Sequence, residues 1–380
     1  MRADPLIGVD ARFLLSRPAS PHAELFRQVL LDNARARHPF RYRLFTWNRD
    51  HKLGDLGAPN VTLHYVRTPR ALGQDFIWVH VFLTRQLRRD PVDLFVSCYY
   101  KAPVFSAVPC VNMVHDLSFF RLPAEYLGGR HRTAWYRWLI RRLIRFHCLR
   151  ACGTITVSQY SRRCLVELLN LSPSRVKVVY NPVDSDFYCA GAGAADFPRK
   201  YFLFVGSDIP KKRLQLTLQA YAQLPRQLRQ DHPLVLRTSL GAARIQEFRR
   251  LGLLENVKII SARVSHQGMV RLIQHACCVI LLSADEGFGL PVAQAMAAGT
   301  PVLISAADAL REIVGEAGAQ SACENIDSVV REWTRVALDA GFRARLVREA
   351  AARAETFRRE RIANQFVSAI DELVCGPAVS

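Results

Sequence analysis

Three short stretches of this chain carry residue types suited to a phosphorylated, hydroxyl-rich ligand. The run Asp285 to Val302 reads DEGFGLPVAQAMAAGTPV. Cys277 to Ser283 before it is an apolar run of strand length. Pro291 suits the first turn of a helix and Gly299 its end. Thr300 to Ser305 reads as the next strand. In the loop between strand and helix, Gly287 and Gly289 let backbone amides approach a ligand closely. The helix start behind them, from Leu290, favours an anion. A carboxylate beside a phosphate would repel it, so Glu286 is better suited to hydroxyls. Phosphate on the amides and hydroxyls on the acid together describe a nucleotide-sugar. The plain alternative is a tight turn with Glu286 as a solvated loop acid.

The second stretch is VGSDIPKKRL, Val205 to Leu214. Gly206 allows a tight exit from a strand. Lys211 and Lys212 can neutralise a diphosphate leaving group as its charge develops, although a basic turn alone is more often solvated surface. The third is Val114-His115-Asp116-Leu117-Ser118. It follows a strand, and in open α/β sheets ligands sit beyond the carboxyl ends of strands. The competing role for His115 is helix capping, or satisfaction by Asp116.

The elements that must position these residues alternate. Apolar runs at Leu6–Val9, Tyr42–Thr46, Val61–Val66, Leu94–Ser97, Val108–Val114, Gly153–Val157 and Val176–Val179 read as strands. Helical patterns lie at Ala23–Arg35, near Phe76–Gln86, and at Thr133–Arg150 and Gln159–Leu169. A small, turn-rich stretch from Cys189 to Pro198 reads as a linker. The alternation then restarts with strands at Tyr201–Val205, Leu234–Arg237, Val257–Ile260, Val279–Leu282 and Val302–Ile304. Helices are expected at Leu214–Ala222, Ala307–Val314 and Ile326–Ala340, and over Glu349–Leu373 in pieces. The fold class expected is α/β, with two doubly wound Rossmann-like domains facing a cleft.

Composition sets the limits. The 380 residues are 50% hydrophobic, which excludes disorder. The longest apolar run, Ala276–Leu282, is far too short to span a membrane. Met1 to Asp10 enters a strand pattern without a signal-peptide layout, so a cytoplasmic location is expected. The ten cysteines are scattered without a Cys-x-x-Cys pair and read as reduced core thiols; Cys277 and Cys278 should point to opposite sheet faces. A net charge of +19 implies an acidic partner. Much of that charge lies in Gly129–Arg150, where Arg137, Arg141 and Arg145 share a helix face. Trp135, Trp138, Leu139, Leu143 and Phe146 add apolar surface. Such a helix suits an anionic membrane surface; the alternative is a core-packed helix with a solvated arginine face.

The order of these landmarks resembles the retaining GT-B glycosyltransferases of the large family 4 group. The Glu286-Gly287-Phe288-Gly289-Leu290-Pro291 run resembles that family's donor-binding motif. The family's second Glu, which holds the ribose, stands as Gln294 here; an amide can hydrogen-bond a diol without charge assistance. Lys211 and Lys212 stand where the family has Arg and Lys, and Ser207 where many relatives carry Arg. The resemblance places His115 near the donor sugar and the loop at Val264 near the nucleotide base. It implies residues 1–188 as the acceptor-side domain and 189–355 as the donor domain, with 356–380 as a helix crossing back. It departs in the first loop: Leu14 to His22 contains no glycine, and Arg17 or His22 is the expected substitute. Asp184-Ser185-Asp186, the sole Asp-x-Asp, could hold a cation for the diphosphate; it sits where the family has a domain-closing turn and is taken as structural, so no metal and no cofactor are expected.

The function implied is transfer of a hexose, mannose or a related sugar, from a nucleotide diphosphate sugar such as GDP-mannose. The acceptor implied is a glycan or a polyprenyl-diphosphate-linked glycan of surface polysaccharide, such as lipopolysaccharide O-antigen, at the inner membrane face. One rival is an inactive binding subunit of the same fold, motivated by Gln294 and the glycine-free loop. The other is a nucleic-acid binder, motivated by charge alone and lacking a recognisable module.

Overall fold

The computed structural model describes residues 5–16, 21–35, 40–67, 74–127, 133–189, 200–261, 264–322 and 325–375. The linker expected at Cys189–Pro198 lies outside them, apart from Cys189 itself. Two compact units are present. The first comprises Met1–Phe120, Trp135–Pro182 and Arg359–Ser380, and the second Arg121–Ala134 and Val183–Arg358.

The first unit is built on seven parallel strands: β1 Leu6–Asp10, β2 Arg41–Thr46, β3 Val61–Tyr65, β4 Leu94–Ser97, β5 Cys110–Val114, β6 Gly153–Thr156 and β7 Val176–Val178. Their order is β3-β2-β1-β4-β5-β6-β7. β4, β5 and β6 are buried at every residue, as central strands of a parallel sheet are; their few polar side chains, Ser97, Asn112, Thr154 and Thr156, are buried with them. Leu94 and Val96 belong to one core layer, together with Phe26, Ile362 and Phe366; Phe95 belongs to the other, with Trp78, Val79 and Leu83. The C-terminal helix Arg359–Cys375 thus completes this unit's core. Phe366 meets Phe26 edge-on at 5.3 Å. Arg359 lies 3.9 Å from Asp32, with both side chains buried. Gly153 in β6 leaves room for this helix: a Cβ there would lie 2.3 Å from Leu373 Cδ2.

The second unit has six parallel strands: β8 Tyr201–Val205, β9 Leu234–Arg237, β10 Val257–Ile259, β11 Ala276–Leu281, β12 Val302–Ser305 and β13 Ala319–Ser321. Their order is β10-β9-β8-β11-β12-β13. Phe202, Phe204, Ile280 and Leu303 form its core with Leu218, Tyr221 and Trp333. Sequence reasoning misses β13, because Ala-Gln-Ser is three residues long and carries no β-branched or aromatic side chain. The helical stretch over Glu349–Leu373 does come in pieces: Ala340–Ala354, a 3₁₀ turn at Glu355–Phe357 and Arg359–Cys375. The described cysteines are free, and burial raises the Cys148 thiol to about 11 and the Cys110 thiol to about 12, as expected of core thiols. Cys278 is buried and its neighbour Cys277 half-buried; Cys277 packs against the same core cluster that holds Cys278, where β11 shifts its register on β8.

The expected helix near Phe76–Gln86 is present, but its middle, Trp78–Leu83, is a π-helix, a form that inserts one extra residue and leaves a local bulge. That segment carries the buried His80, whose ring stacks on the buried His147 at 5.0 Å. Burial lowers His80 from 6.5 to about 4, with Lys101 adding to the effect. Burial, and then His80 and Lys101, lower His147 to about 4. Both folded values lie below the unfolded one, so the neutral pair is fully tolerated above pH 6.5 and stability is lost as pH falls toward 4. Chemical denaturation across that window should show a steeper loss in the wild type than in a His80→Leu/His147→Leu double variant. Identical pH slopes would remove these rings from the acid sensitivity.

Candidate active site

In the second unit the strand order reverses between β8 and β11, which are neighbours. In open α/β sheets ligands bind beyond the carboxyl ends of the strands at such a reversal. The β8 loop carries Gly206, Lys211 and Lys212; the β11 loop carries Glu286 and the glycines. Chain separation between Lys212 and Glu286 is 74 residues, yet Lys212 Nζ donates directly to Glu286 Oε1. Ser283 Oγ donates to the same oxygen at 2.7 Å. Ser305 Oγ, at the end of β12, donates to the Ser283 carbonyl at 2.6 Å. Glu286 is buried, and this set of donors holds its carboxylate in one orientation.

Each loop is fixed by further contacts. The Ala284 amide donates to the Lys211 carbonyl at 2.7 Å, which joins the two loops through their backbones. Pro210–Lys212 is a 3₁₀ turn that ends with Arg213 in the left-handed region at φ 49°. Arg244 grips Asp208 with two hydrogen bonds, 2.8 and 3.1 Å. Asp285 lies 3.9 Å from Arg121 Nε, and Arg213 lies over the Tyr126 ring at 5.6 Å. Phe288 is buried edge-on against Phe357 at 5.5 Å. Ser283, Asp285, Ser305 and Arg121 are residues that sequence reasoning did not single out. Ser283 and Asp285 were legible as flanks of the motif; Ser305 and Arg121 came into view only with the strand order and the tertiary contact.

Gly289 caps the helix Leu290–Ala297 at φ 96°, with Pro291 in the first turn. A Cβ at Gly289 would lie 2.4 Å from Leu310 Cδ2, so both backbone and space demand glycine. At the other end the Gly299 amide donates to the Met296 carbonyl and the Thr300 amide to the Ala295 carbonyl, at 3.1 and 2.8 Å. With Gly299 at φ 69° this is a Schellman stop. Gln294 is half-buried on this helix. Val264 is half-buried just before the helix His266–Gln274, whose N-cap is Ser265. No hydrogen bond joins Gln294 or Val264 to Lys212 or Glu286 among the described residues. Gly287 and Leu290 complete the loop and helix start.

Asp184 and Asp186 lie with His266, their ligand atoms within 4.8 Å of one another. The Asp186 amide and Gln267 Nε2 donate to these carboxylates at 3.0 and 2.6 Å, and His266 Nε2 lies 3.1 Å from Asp186 Oδ2. One oxygen of each carboxylate thus meets a protein donor, and these contacts tie residues 184–186 to the helix His266–Gln274.

In the first unit, the order reverses between β1 and β4. His115 follows β5, is buried, and its Nε2 lies 3.1 Å from the Cys98 carbonyl, just past β4. Asp116 accepts from the Ser118 amide at 2.7 Å and so caps the turn that follows. Beyond β1, Arg12 is clamped onto Asp10 (2.7 and 2.8 Å), reaches Asp75 at 3.0 Å, and lies over the rings of Trp78 and Trp47 at 4.1 and 4.8 Å. Burial opposes the Arg12 charge, but Asp10 and Asp75 outweigh it and raise its pKa. This charge centre is also absent from the sequence reading. Arg17, expected to serve the first loop, lies outside the described residues, as does the side chain of His22.

Gly289→Ala is expected to cost about 1–3 kcal/mol, from left-handed strain and displacement of Leu310. A denaturant midpoint equal to wild type would show that the loop relaxes at no cost.

The family described as Glycosyltransferase Family 4 matches residues 31–187, and that described as Glycosyl transferases group 1 matches residues 193–353. O-antigen chain mannosyltransferase B of Escherichia coli is 26% identical over 270 residues, 68% of this chain and 69% of that protein. Serotype-specific mannosyltransferase WbdA of Escherichia coli is 24% identical over 65% of this chain, which spans only 31% of that longer protein. Anabaena HepE, solved in complex with UDP and glucose, superposes with a TM-score of 0.70 at 18% identity, over 97% of this chain and 99% of that one. With both halves of the chain matched in order and two parallel doubly wound sheets of the GT-B type, this chain belongs to the family 4, group 1 glycosyltransferases.

Proposed function

We propose that this chain is a retaining, metal-independent glycosyltransferase. It moves a hexose, mannose or a related sugar, from a nucleotide diphosphate donor, GDP-mannose being the first candidate. The acceptor is a glycan or polyprenyl-diphosphate-linked glycan of surface polysaccharide, such as lipopolysaccharide O-antigen, at the inner face of the cell membrane. The observation that carries this reading is the Lys212–Glu286–Ser283 cluster beside the Gly287–Leu290 loop. The O-antigen relative supports the sugar and pathway class, and the UDP and glucose complex of HepE supports a nucleotide-sugar donor.

In this mechanism the bond between the sugar's anomeric carbon and the diphosphate breaks while the acceptor oxygen bonds to that carbon. The acceptor proton passes to the departing phosphate. Lys211, Lys212 and the Gly287–Leu290 amides stabilise the charge that develops on the diphosphate. Glu286, held by Ser283 and Lys212, accepts hydrogen bonds from sugar hydroxyls. Donor arrival draws the Lys212 ammonium from Glu286 toward phosphate, and the pair holds both groups beside the donor loop. Gln294 takes the ribose diol, Val264 borders the base, Gly206 gives the β8 loop its exit, Phe288 anchors the donor loop on Phe357, and His115 lines the reacting face.

Three measurements test this. Glu286→Gln leaves an amide oxygen to accept from Ser283 but removes the charge; kcat is expected to fall at least about a hundredfold, with a lowered thermal midpoint because Lys212 loses its counter-charge, and Glu286→Ala should abolish transfer. Activity near wild type in either would remove Glu286 from the mechanism. Gln294→Glu is expected to tighten binding of a nucleoside diphosphate sugar about fivefold to tenfold by restoring charge assistance; unchanged affinity would detach Gln294 from the ribose. NMR of the initial product should show the donor's anomeric configuration, and inversion would refute retention. Nucleotide-sugar binding without turnover on any acceptor would favour the binding-subunit reading that Gln294 motivates.

A further inference from the structure

Strand β9 ends in a cation without a partner among the described residues. Arg237 is its last residue, in register with Val205, the last residue of β8. The Gly206 amide donates to the Arg237 carbonyl at 3.3 Å, and the Ile260 amide to the Leu236 carbonyl at 2.9 Å. The backbone here is thus tied to the glycine exit of the β8 loop on one side and to the start of the loop after β10 on the other. The Arg237 side chain is half-buried. Its Nε is buried without a hydrogen-bond partner, and no carboxylate pairs with it, among the described residues.

The loops around it supply no acid. Residues 206–213 of the β8 loop include one carboxylate, Asp208, and Arg244 occupies both of its oxygens, at 2.8 and 3.1 Å. Thr238, Ser239, Leu240 and Gly241 after β9 contain no Asp or Glu, and neither do residues 260–265 after β10. A buried N–H left without an acceptor is costly, and native proteins rarely keep one without a reason. An acceptor brought by a ligand is such a reason.

Strand order indicates which part of a ligand brings it. In the order β10-β9-β8-β11, β9 lies on the side of β8 away from β11. Two strand spacings, about 10 Å, separate the end of β9 from the end of β11, where the donor loop begins. In the function proposed above, Lys211, Lys212 and the loop amides hold the diphosphate, and Val264, after β10, borders the base. The path from one to the other crosses the end of β9, so Arg237 meets the nucleoside rather than the phosphates. A guanidinium presents its N–H groups as a planar fork. Guanine is the base whose edge carries two adjacent acceptors, N7 and O6, whereas adenine sets an amine beside N7. Uracil has no N7 and offers single carbonyls.

We infer that Arg237 reads the N7–O6 edge of guanine and makes this site select guanosine diphosphate sugars over uridine diphosphate sugars. The inference rests on the donor reading proposed above and deepens it by naming the base and the residue that recognises it.

Calorimetric titration of the full chain with GDP, inosine diphosphate, 7-deaza-GDP and UDP provides the test. Inosine diphosphate keeps N7 and O6 and should bind as GDP does. 7-deaza-GDP, which lacks N7, should bind about fivefold weaker or worse, and UDP about tenfold weaker or worse. Arg237→Lys keeps a charge without the fork, and Arg237→Met keeps the apolar stem alone. Both should erase the difference between GDP and 7-deaza-GDP and leave UDP affinity as it was. Neither should lower the thermal midpoint of the free protein, because no partner loses a bond. Equal binding of GDP and 7-deaza-GDP by the wild type would overturn the inference, and that comparison needs no variant to fold. A GDP preference that survives both substitutions would overturn it too, and a lowered midpoint alongside would make Arg237 a structural residue. Nucleotide binding without base preference would sink this inference and leave the donor reading standing, whereas no binding of any of these diphosphates would sink both.

Discussion

The ion pair between Lys212 and Glu286 is the constraint on which the rest of the site depends. It joins two loops at neighbouring strand ends, and both charges are largely withdrawn from water. A pair of this kind adds little net stability, because desolvation offsets attraction, but losing one partner leaves a buried charge at about 3–5 kcal/mol. The loops are therefore locked to each other more strongly than either is to solvent. Ser283 and the Ala284–Lys211 backbone bond make the same junction by uncharged means. Geometry at this corner is thus set before a ligand arrives.

The sheets explain why such a corner exists. Parallel strands need crossover connections, so all loops of one kind emerge at the same sheet edge. At the reversal of order, the loops of two neighbouring strands meet although the chain carries them apart in sequence. Both units use this point for charge. The second has Lys212 with Glu286, and the first has Arg12 with Asp10 and Asp75, stacked on Trp47 and Trp78. The second arrangement is more exposed to exchange of partners. Arg12 is held by two carboxylates and two rings, whereas Lys212 has a single flexible stem and can change its partner.

The helix Ala134–Arg150 shows a different economy of side chains. Its arginines serve as caps for a neighbouring helix, and its small apolar stripe anchors it, leaving two tryptophans in water. Large aromatic side chains are normally drawn inward because each buries a large area. Their exposure here follows from the stripe chosen by Ile140, Ile144, His147 and Cys148, which turns the tryptophan side away from the core. Beneath the same helix, the stacked His80 and His147 are buried as neutral rings, and the π-helical turn accommodates one of them.

The sequence by itself determined the local elements and the residue types of the site. Short runs rich in apolar and β-branched residues gave twelve of the thirteen strands among the described residues, because such side chains suit a covered, pleated surface. Pro291 and Gly299 marked the helix after the donor loop, because a missing amide and a left-handed backbone have few other uses. The pairing of the loops was not legible. Nothing local states that β8 lies beside β11, so nothing in the chain brings Lys212 to Glu286 or Ser305 to Ser283. Nor could helical spacing tell which stripe of Ala134–Arg150 faces the core, since both stripes carry apolar side chains. Strand order and helix rotation are set by the sum of many distant contacts, and those exist only once the chain has folded.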